Sequence, residues 1–104
     1  MDSQLKKGML EYCILAYLNQ KPSYGYDIVK NISELIPITE STLYPILKRL
    51  ESKQSVETFS QEYNGRLRKY YKITPSGRII LTEFMESRVQ VEEIYAFIEG
   101  SLTS

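Results

Sequence analysis

The 104 residues contain no histidine and one cysteine, Cys13. The commonest general base and metal ligand is therefore missing. One thiol cannot build an internal disulfide framework or a cysteine-based zinc site. No glycine-rich phosphate loop, nucleophile elbow or spaced carboxylate cluster takes their place, so the chain reads as no enzyme, with no cofactor and no metal site. What remains are groups that hold phosphate without covalent chemistry. Arg66, Arg68, Lys69, Lys72 and Arg78 fall in one stretch without an acidic residue. Further upstream, the hydroxyls of Ser41, Thr42 and Tyr44 precede Lys48 and Arg49. Cations grip phosphate, arginine also reads a guanine edge, and hydroxyls and helix N-terminal amides bond either.

The formal net charge is zero, which by itself argues against a polyanionic partner, but the charge is unevenly placed. Residues 1–78 carry 12 Lys/Arg against 8 Asp/Glu, a net +4. Residues 79–104 carry Arg88 against Glu83, Glu86, Glu92, Glu93 and Glu99, a net −4. A basic front with an acidic tail attracts phosphate on one side only. No stretch reaches the roughly 18 consecutive apolar residues a membrane helix needs. Lys6 and Lys7 ahead of Met9–Leu18 imitate a secretory signal, but no small-residue cleavage site follows, and the chain reads as cytoplasmic. Cys13 lies in an apolar helical stretch and reads as a small buried hydrophobe.

The elements that must position these groups follow from periodicity. Residues 4–19 predict a helix with two apolar faces, one marked by Leu5, Met9, Tyr12, Ala16 and Asn19, the other by Leu10, Cys13, Ile14, Tyr17 and Leu18. Such a helix is buried on two sides. Ser23 reads as the N-cap of a second helix of about three turns, carried by Ile28, Val29, Ile32, Leu35 and Ile36 and ended by Pro37. Thr39 opens a third, with Leu43, Ile46, Leu47 and Leu50 at intervals of three and four. Pro45 conflicts with that start, since it would leave the Ser41 carbonyl without its helical partner. Either the helix begins later, near Ser41, or it is locally kinked. Beyond Lys53 the period becomes two, and Asn64-Gly65 between two β-prone runs signals a hairpin. After Thr74-Pro75-Ser76-Gly77, a single long helix over about 79–99 is expected, with Ile80, Phe84, Ser87, Val91, Ile94, Tyr95 and Ile98 on one face. Gly100-Ser101 suggests fraying beyond it.

The resulting order is helix, helix, helix, hairpin, long helix. The fold class is α+β, mainly α: a winged helix-turn-helix over residues 1–78 and a C-terminal dimerisation helix over 79–104. A helix of this kind enters the DNA major groove, and the hairpin, or wing, reaches the neighbouring backbone. Lys48 and Arg49 on the third helix and Arg66, Arg68, Lys69 and Lys72 around the turn suit that geometry. The last helix has no further element of its own to pack on. Pairing with the first helix of a second copy would bury its stripe, and two-fold symmetry would set two reading heads about 34 Å apart, one turn of DNA.

Four stretches resemble the PadR family of transcriptional regulators. They are Gly8-Met9-Leu10-Glu11-Tyr12-Cys13-Ile14-Leu15, Ser23-Tyr24-Gly25-Tyr26-Asp27-Ile28, residues 41–51 around Thr42-Leu43-Tyr44-Pro45, and residues 64–77 around Arg68-Lys69-Tyr70-Tyr71. The resemblance spans roughly 8–85, and the single short C-terminal helix looks like the small-size subfamily. It implies a homodimer on double-stranded DNA with a partly palindromic operator, usually a repressor, which a small-molecule effector can relieve. It makes helix three the recognition helix, with Ser41, Thr42, Tyr44 and Lys48 as DNA contacts. It also brings Tyr24 to a backbone phosphate, matches Arg68 and Lys69 to the family's basic pair, and makes Tyr70 and Tyr71 supports of the hairpin. Proline at position 45 is tolerated in the family. Small members that bind flat aromatic drugs between subunits use tryptophans on the last helix. This chain has none, and Tyr95, Phe97 and Phe84 are the aromatic faces there. The dimer interface is expected at Met9, Tyr12, Phe84, Val91, Ile94, Tyr95 and Ile98. The competing reading is a winged-helix protein-interaction module that binds no DNA.

Overall fold

The computed structural model describes residues 3–103. Helix α1 spans Ser3–Gln20, strand β1 Ser23–Tyr24, α2 Gly25–Ile32, α3 Glu40–Ser52, β2 Val56–Tyr63, β3 Arg66–Ile73, α4 Pro75–Glu86 and α5 Arg88–Thr103. The strands form one antiparallel sheet in the order β1-β3-β2. This is the mainly helical winged helix-turn-helix expected from the sequence.

The core sits where α1, α2, α3 and the base of the sheet meet. Leu10, Ile14, Leu15 and Leu18 from α1 pack with Ile28 and Ile32 from α2. Leu43, Ile46, Leu47 and Leu50 from α3 join them, closed by Val56, Tyr71 and Ile73. Each such aliphatic side chain gains about 1.5–3 kcal/mol on burial, so this cluster fixes the pitch of α3 relative to the sheet. The α3 stripe inferred from spacing is the set that is buried. Its four members lie at positions three, four and seven apart, on one helix face.

Caps set the ends of the site helices. Thr39 is in extended backbone and its hydroxyl accepts from the Thr42 amide at 3.4 Å, so α3 begins at Glu40. Pro45 lies inside α3 on an exposed position, past the first turn, so the earlier of the two starts holds and the helix accommodates the proline. Thr74 caps α4: its oxygen accepts from the Gly77 amide at 3.0 Å. The same hydroxyl reaches back to the Gln54 carbonyl at 2.7 Å, tying α4 to the loop after α3. The hairpin turn is Asn64-Gly65, with φ of 51° and 78°, and pairs Tyr63 with Arg66. Both residues are left-handed, as a two-residue turn matching the strand twist requires, and glycine carries this without a Cβ penalty.

Four expectations are corrected. Ser23 does not cap α2: it is a strand residue paired with Tyr71, and Tyr24 stands at the cap position. Pairing of 23–24 with β3 supplies backbone partners that a helix start would have forgone. Helix α2 ends at Ile32, short of three turns, and its Ser33 hydroxyl instead bonds the Ile38 backbone in the connection to α3. The single helix over 79–99 is two helices. Helix α4 stops at Glu86, Ser87 has its amide on the Glu83 carbonyl and its hydroxyl on the Phe84 carbonyl, and α5 starts at Arg88. A serine bonding the carbonyl three residues back competes with the helical ladder. Helix α5 also continues through Gly100 to Thr103 in place of fraying there.

Candidate nucleic-acid interface

Helix α3 turns its core stripe inward, so its opposite side faces solvent. Ser41, Thr42, Tyr44, Pro45 and Lys48 are all exposed. The first turn also carries Glu40, which suits the positive end of the helix dipole. Tyr44 leans toward α2. A Cβ on Gly25 would collide with the Tyr44 hydroxyl, so glycine at 25 makes room for that ring. Burial, then the Glu40 carboxylate and Tyr71, push the Tyr44 phenol above its usual range and keep it a proton donor.

The sheet supplies the other wall. In the register Tyr63↔Arg66, Gln61↔Arg68 and Phe59↔Tyr70, side chains alternate across the pleat. Arg66, Arg68, Tyr70 and Lys72 share one face with Phe59, Gln61 and Tyr63, and Lys69 and Tyr71 occupy the other. Lys69 reaches to 4.0 Å from Glu51 of α3 and 5.5 Å from the Tyr71 ring. On the first face, Tyr70 stacks on Phe59 at 5.4 Å and meets Tyr24 edge-on at 5.5 Å. The two-residue strand β1 holds Tyr24 there through its pairing with Tyr70.

Between these walls lies an open groove of about 710 Å³. Tyr24, Gly25 and Tyr26 line it from the start of α2, Glu40 and Tyr44 from α3, and Arg66, Leu67, Arg68, Lys69 and Tyr71 from β3. Five of the residues singled out from the sequence thus converge: Tyr24, Tyr44, Arg66, Arg68 and Lys69. Ser41, Thr42 and Lys48 lie outside the groove on the exposed side of α3. Arg49 is turned elsewhere. Its guanidinium places both Nε and an Nη on Glu11 Oε1 of α1, each at 2.6 Å, while its side chain stays partly exposed. Sequence reasoning missed Gly25, Tyr26 and Tyr63. Only the Tyr24-Gly25-Tyr26 and Tyr63-Asn64-Gly65 clusters hinted at them.

Beneath the groove, Asp27 ties α1, β1 and α2 together. Its carboxylate accepts from the Tyr17 hydroxyl and the Ser23 hydroxyl, each at 2.5 Å, and from the Asn31 amide at 3.1 Å. Burial pushes the carboxyl up, but the bonds from Ser23 and Tyr17, the Lys21 charge and Asn31 outweigh it and leave it below its usual value. Burial and the Asp27 contact raise the Tyr17 phenol to about 12.

Of the expected interface residues, Tyr12 and Phe84 stack on each other within one chain, with centroids 3.8 Å apart. They line an apolar groove with Met9, Cys13, Ala16, Leu81 and Met85. Val91, Ile94, Tyr95 and Ile98 on α5 are exposed.

Residues 14–83 match the family model of PadR-like transcriptional regulators. The chain belongs to the PadR-like family. It is similar to a PadR-like transcription factor from Bacteroides fragilis, at 39% identity and a TM-score of 0.79, covering 92% of this chain and 95% of that one. A PadR-like transcriptional regulator from Bacillus cereus superposes with a TM-score of 0.81 at 32% identity, covering 92% and 96%. An uncharacterised Lysinibacillus sphaericus protein is 36% identical, covering 94% of this chain and 95% of its own length. As a PadR-like protein the chain is a DNA-binding transcriptional regulator. Among the described residues no helix is long and apolar enough to cross a membrane.

Proposed function

We propose that this PadR-like chain acts in the cytoplasm as a homodimeric repressor of a partly palindromic operator. One observation carries the reading: Tyr24, Tyr44, Arg66, Arg68 and Lys69 line a single groove between the start of α3 and the wing. Helix α3 enters the major groove with Ser41, Thr42, Tyr44 and Lys48, and the wing cations hold the flanking backbone. Dimerisation through 79–104 is supported by α5, on which Val91, Ile94, Tyr95 and Ile98 are exposed and no residue is buried. A small-molecule effector suits the apolar groove of about 680 Å³ beside Met9, Tyr12 and Phe84, which adjoins the α4–α5 break.

A gel shift on DNA from upstream of the chain's own gene, at two salt concentrations, tests the reading. Retardation should weaken steeply with salt, because each phosphate neutralised releases counterions and contributes about −0.9 to the log–log slope. No shift, or a flat salt response, would favour the interaction module over the DNA regulator.

A further inference from the structure

Arg68 stands apart from the other wing cations in how it is held. Its guanidinium carbon lies 4.5 Å from the Tyr24 ring centroid and 4.7 Å from that of Tyr63. The two centroids are 6.4 Å apart and the ring planes are inclined at 35°. The three points therefore enclose roughly a right angle at the guanidinium. Arg68 sits in a corner between two rings and lines the groove together with Tyr24, Arg66 and Tyr44. It forms no ion pair among the described residues.

The corner is built by the backbone. Tyr63 pairs with Arg66, so Arg68 is its diagonal neighbour on the same face of the hairpin. Tyr24 is fixed from the other side by β1, opposite Tyr70, and Tyr70 is braced by Phe59. An arginine on a bare hairpin would lose much side-chain entropy on binding. Ring faces attract the cation and restrict it beforehand, while leaving the N–H edge free for two parallel bonds.

We infer that Tyr63, together with Tyr24, is a positioning residue that presents Arg68 as a preset fork for one DNA backbone phosphate. The inference rests on the DNA reading of the groove and adds to it a residue that acts through its ring face on Arg68 rather than through its own hydroxyl. Phosphate is the occupant the geometry favours, because its non-bridging oxygens match the guanidinium edge and the wing flanks the reading helix instead of extending it.

The test uses the full chain and a fluorescein-labelled duplex from upstream of its gene, read by anisotropy over a salt series. A mixed-sequence duplex serves as the second probe. Circular dichroism establishes that each variant is folded. Tyr63→Leu should weaken binding about fivefold on both duplexes, the scale of a lost exposed cation–π contact. Tyr63→Phe, which keeps the ring face, should restore wild-type affinity. Arg68→Gln should weaken binding further and reduce the salt slope by about one. Tyr63→Leu added to Arg68→Gln should then cost nothing more. Full additivity of the two changes, or a Tyr63→Phe loss equal to that of Tyr63→Leu, would overturn the positioning role. A loss seen on the upstream duplex but not on the mixed-sequence duplex would overturn the phosphate assignment. Failure of the wild-type chain to bind either duplex would instead defeat the DNA reading itself.

Discussion

At the scale of single residues, Asp27 and Gly25 set where neighbouring groups of the site stand. Asp27 receives three side-chain donors from α1, β1 and α2. An amide there can accept from only part of that set and leaves a hydroxyl unpaired. Asp27→Asn should cost about 1–2 kcal/mol at neutral pH, the loss of a charge-assisted bond in a half-buried place. The folded carboxyl titrates below its ordinary value, so its stabilisation is complete above that value and is lost as pH falls through the folded one. Urea unfolding of both proteins across the acid range should therefore show the gap closing at low pH. A gap that persists below the carboxylate range would contradict this. Tyr17 has the opposite sense. Its phenol is raised to about 12, so the stability it supplies holds below the ordinary phenol value and disappears as pH climbs toward 12. Gly25→Ala adds a methyl where the Tyr44 hydroxyl lies. The end of a side chain can swing away, so the fold should survive while Tyr44 leaves the groove. Operator affinity should fall about tenfold, roughly one lost hydrogen bond, with an unchanged thermal midpoint. Unchanged affinity would mean that Tyr44 takes no part in binding.

Among the elements, the wing depends most on local chemistry. Asn64 and Gly65 are both left-handed, and the register from Tyr63↔Arg66 to Val56↔Ile73 follows from that two-residue turn. Gly65→Ala should cost about 1–2 kcal/mol, the penalty of a Cβ in left-handed backbone, visible in chemical denaturation. A cost near zero would show that the turn changes type at no expense. Helix α3 illustrates the opposite dependence. Its Pro45 removes a helical hydrogen bond, yet the four-residue stripe Leu43, Ile46, Leu47 and Leu50 buries completely. Tertiary burial outweighs the local defect, because each stripe residue contributes as much as the missing bond takes away.

For the whole molecule, the deciding feature is the break at Ser87. Before it, α4 packs on α1, where Phe84 stacks on Tyr12; beyond it, α5 has no buried residue. Two regions read as one dimer interface thus have different environments: Tyr12 and Phe84 meet each other, while Val91, Ile94, Tyr95 and Ile98 face outward. Ile94 is 53% exposed, so Ile94→Asp should leave the isolated fold intact. Buried against a second copy, an unpaired carboxylate costs several kcal/mol, enough to dissociate the pair. Light scattering at micromolar concentration should give monomer mass, and operator binding should be lost with it. Dimer mass for this variant would remove α5 from the interface.

Sequence alone was sufficient wherever the determining interactions are local. The core stripe of α3 follows from spacing, the hairpin from Asn64-Gly65, and the basic wing from a run without acids, whereas the Thr74 cap that starts α4 reads in the sequence only as a loop residue. The family was legible too, in the four short stretches around Tyr12, Tyr24, Tyr44 and Tyr70. Tertiary structure alone decided which of those groups meet. Nothing local distinguishes Arg49, spent on Glu11 of a distant helix, from Lys48, free on the surface one residue earlier. Ser23 looks like a helix cap until β3 offers it a strand partner, and Tyr63 looks like a turn residue until Arg68 lies against its ring. Charges and rings act through space over a few ångströms, and residues far apart in the chain come that close only once the core has set the angles between elements.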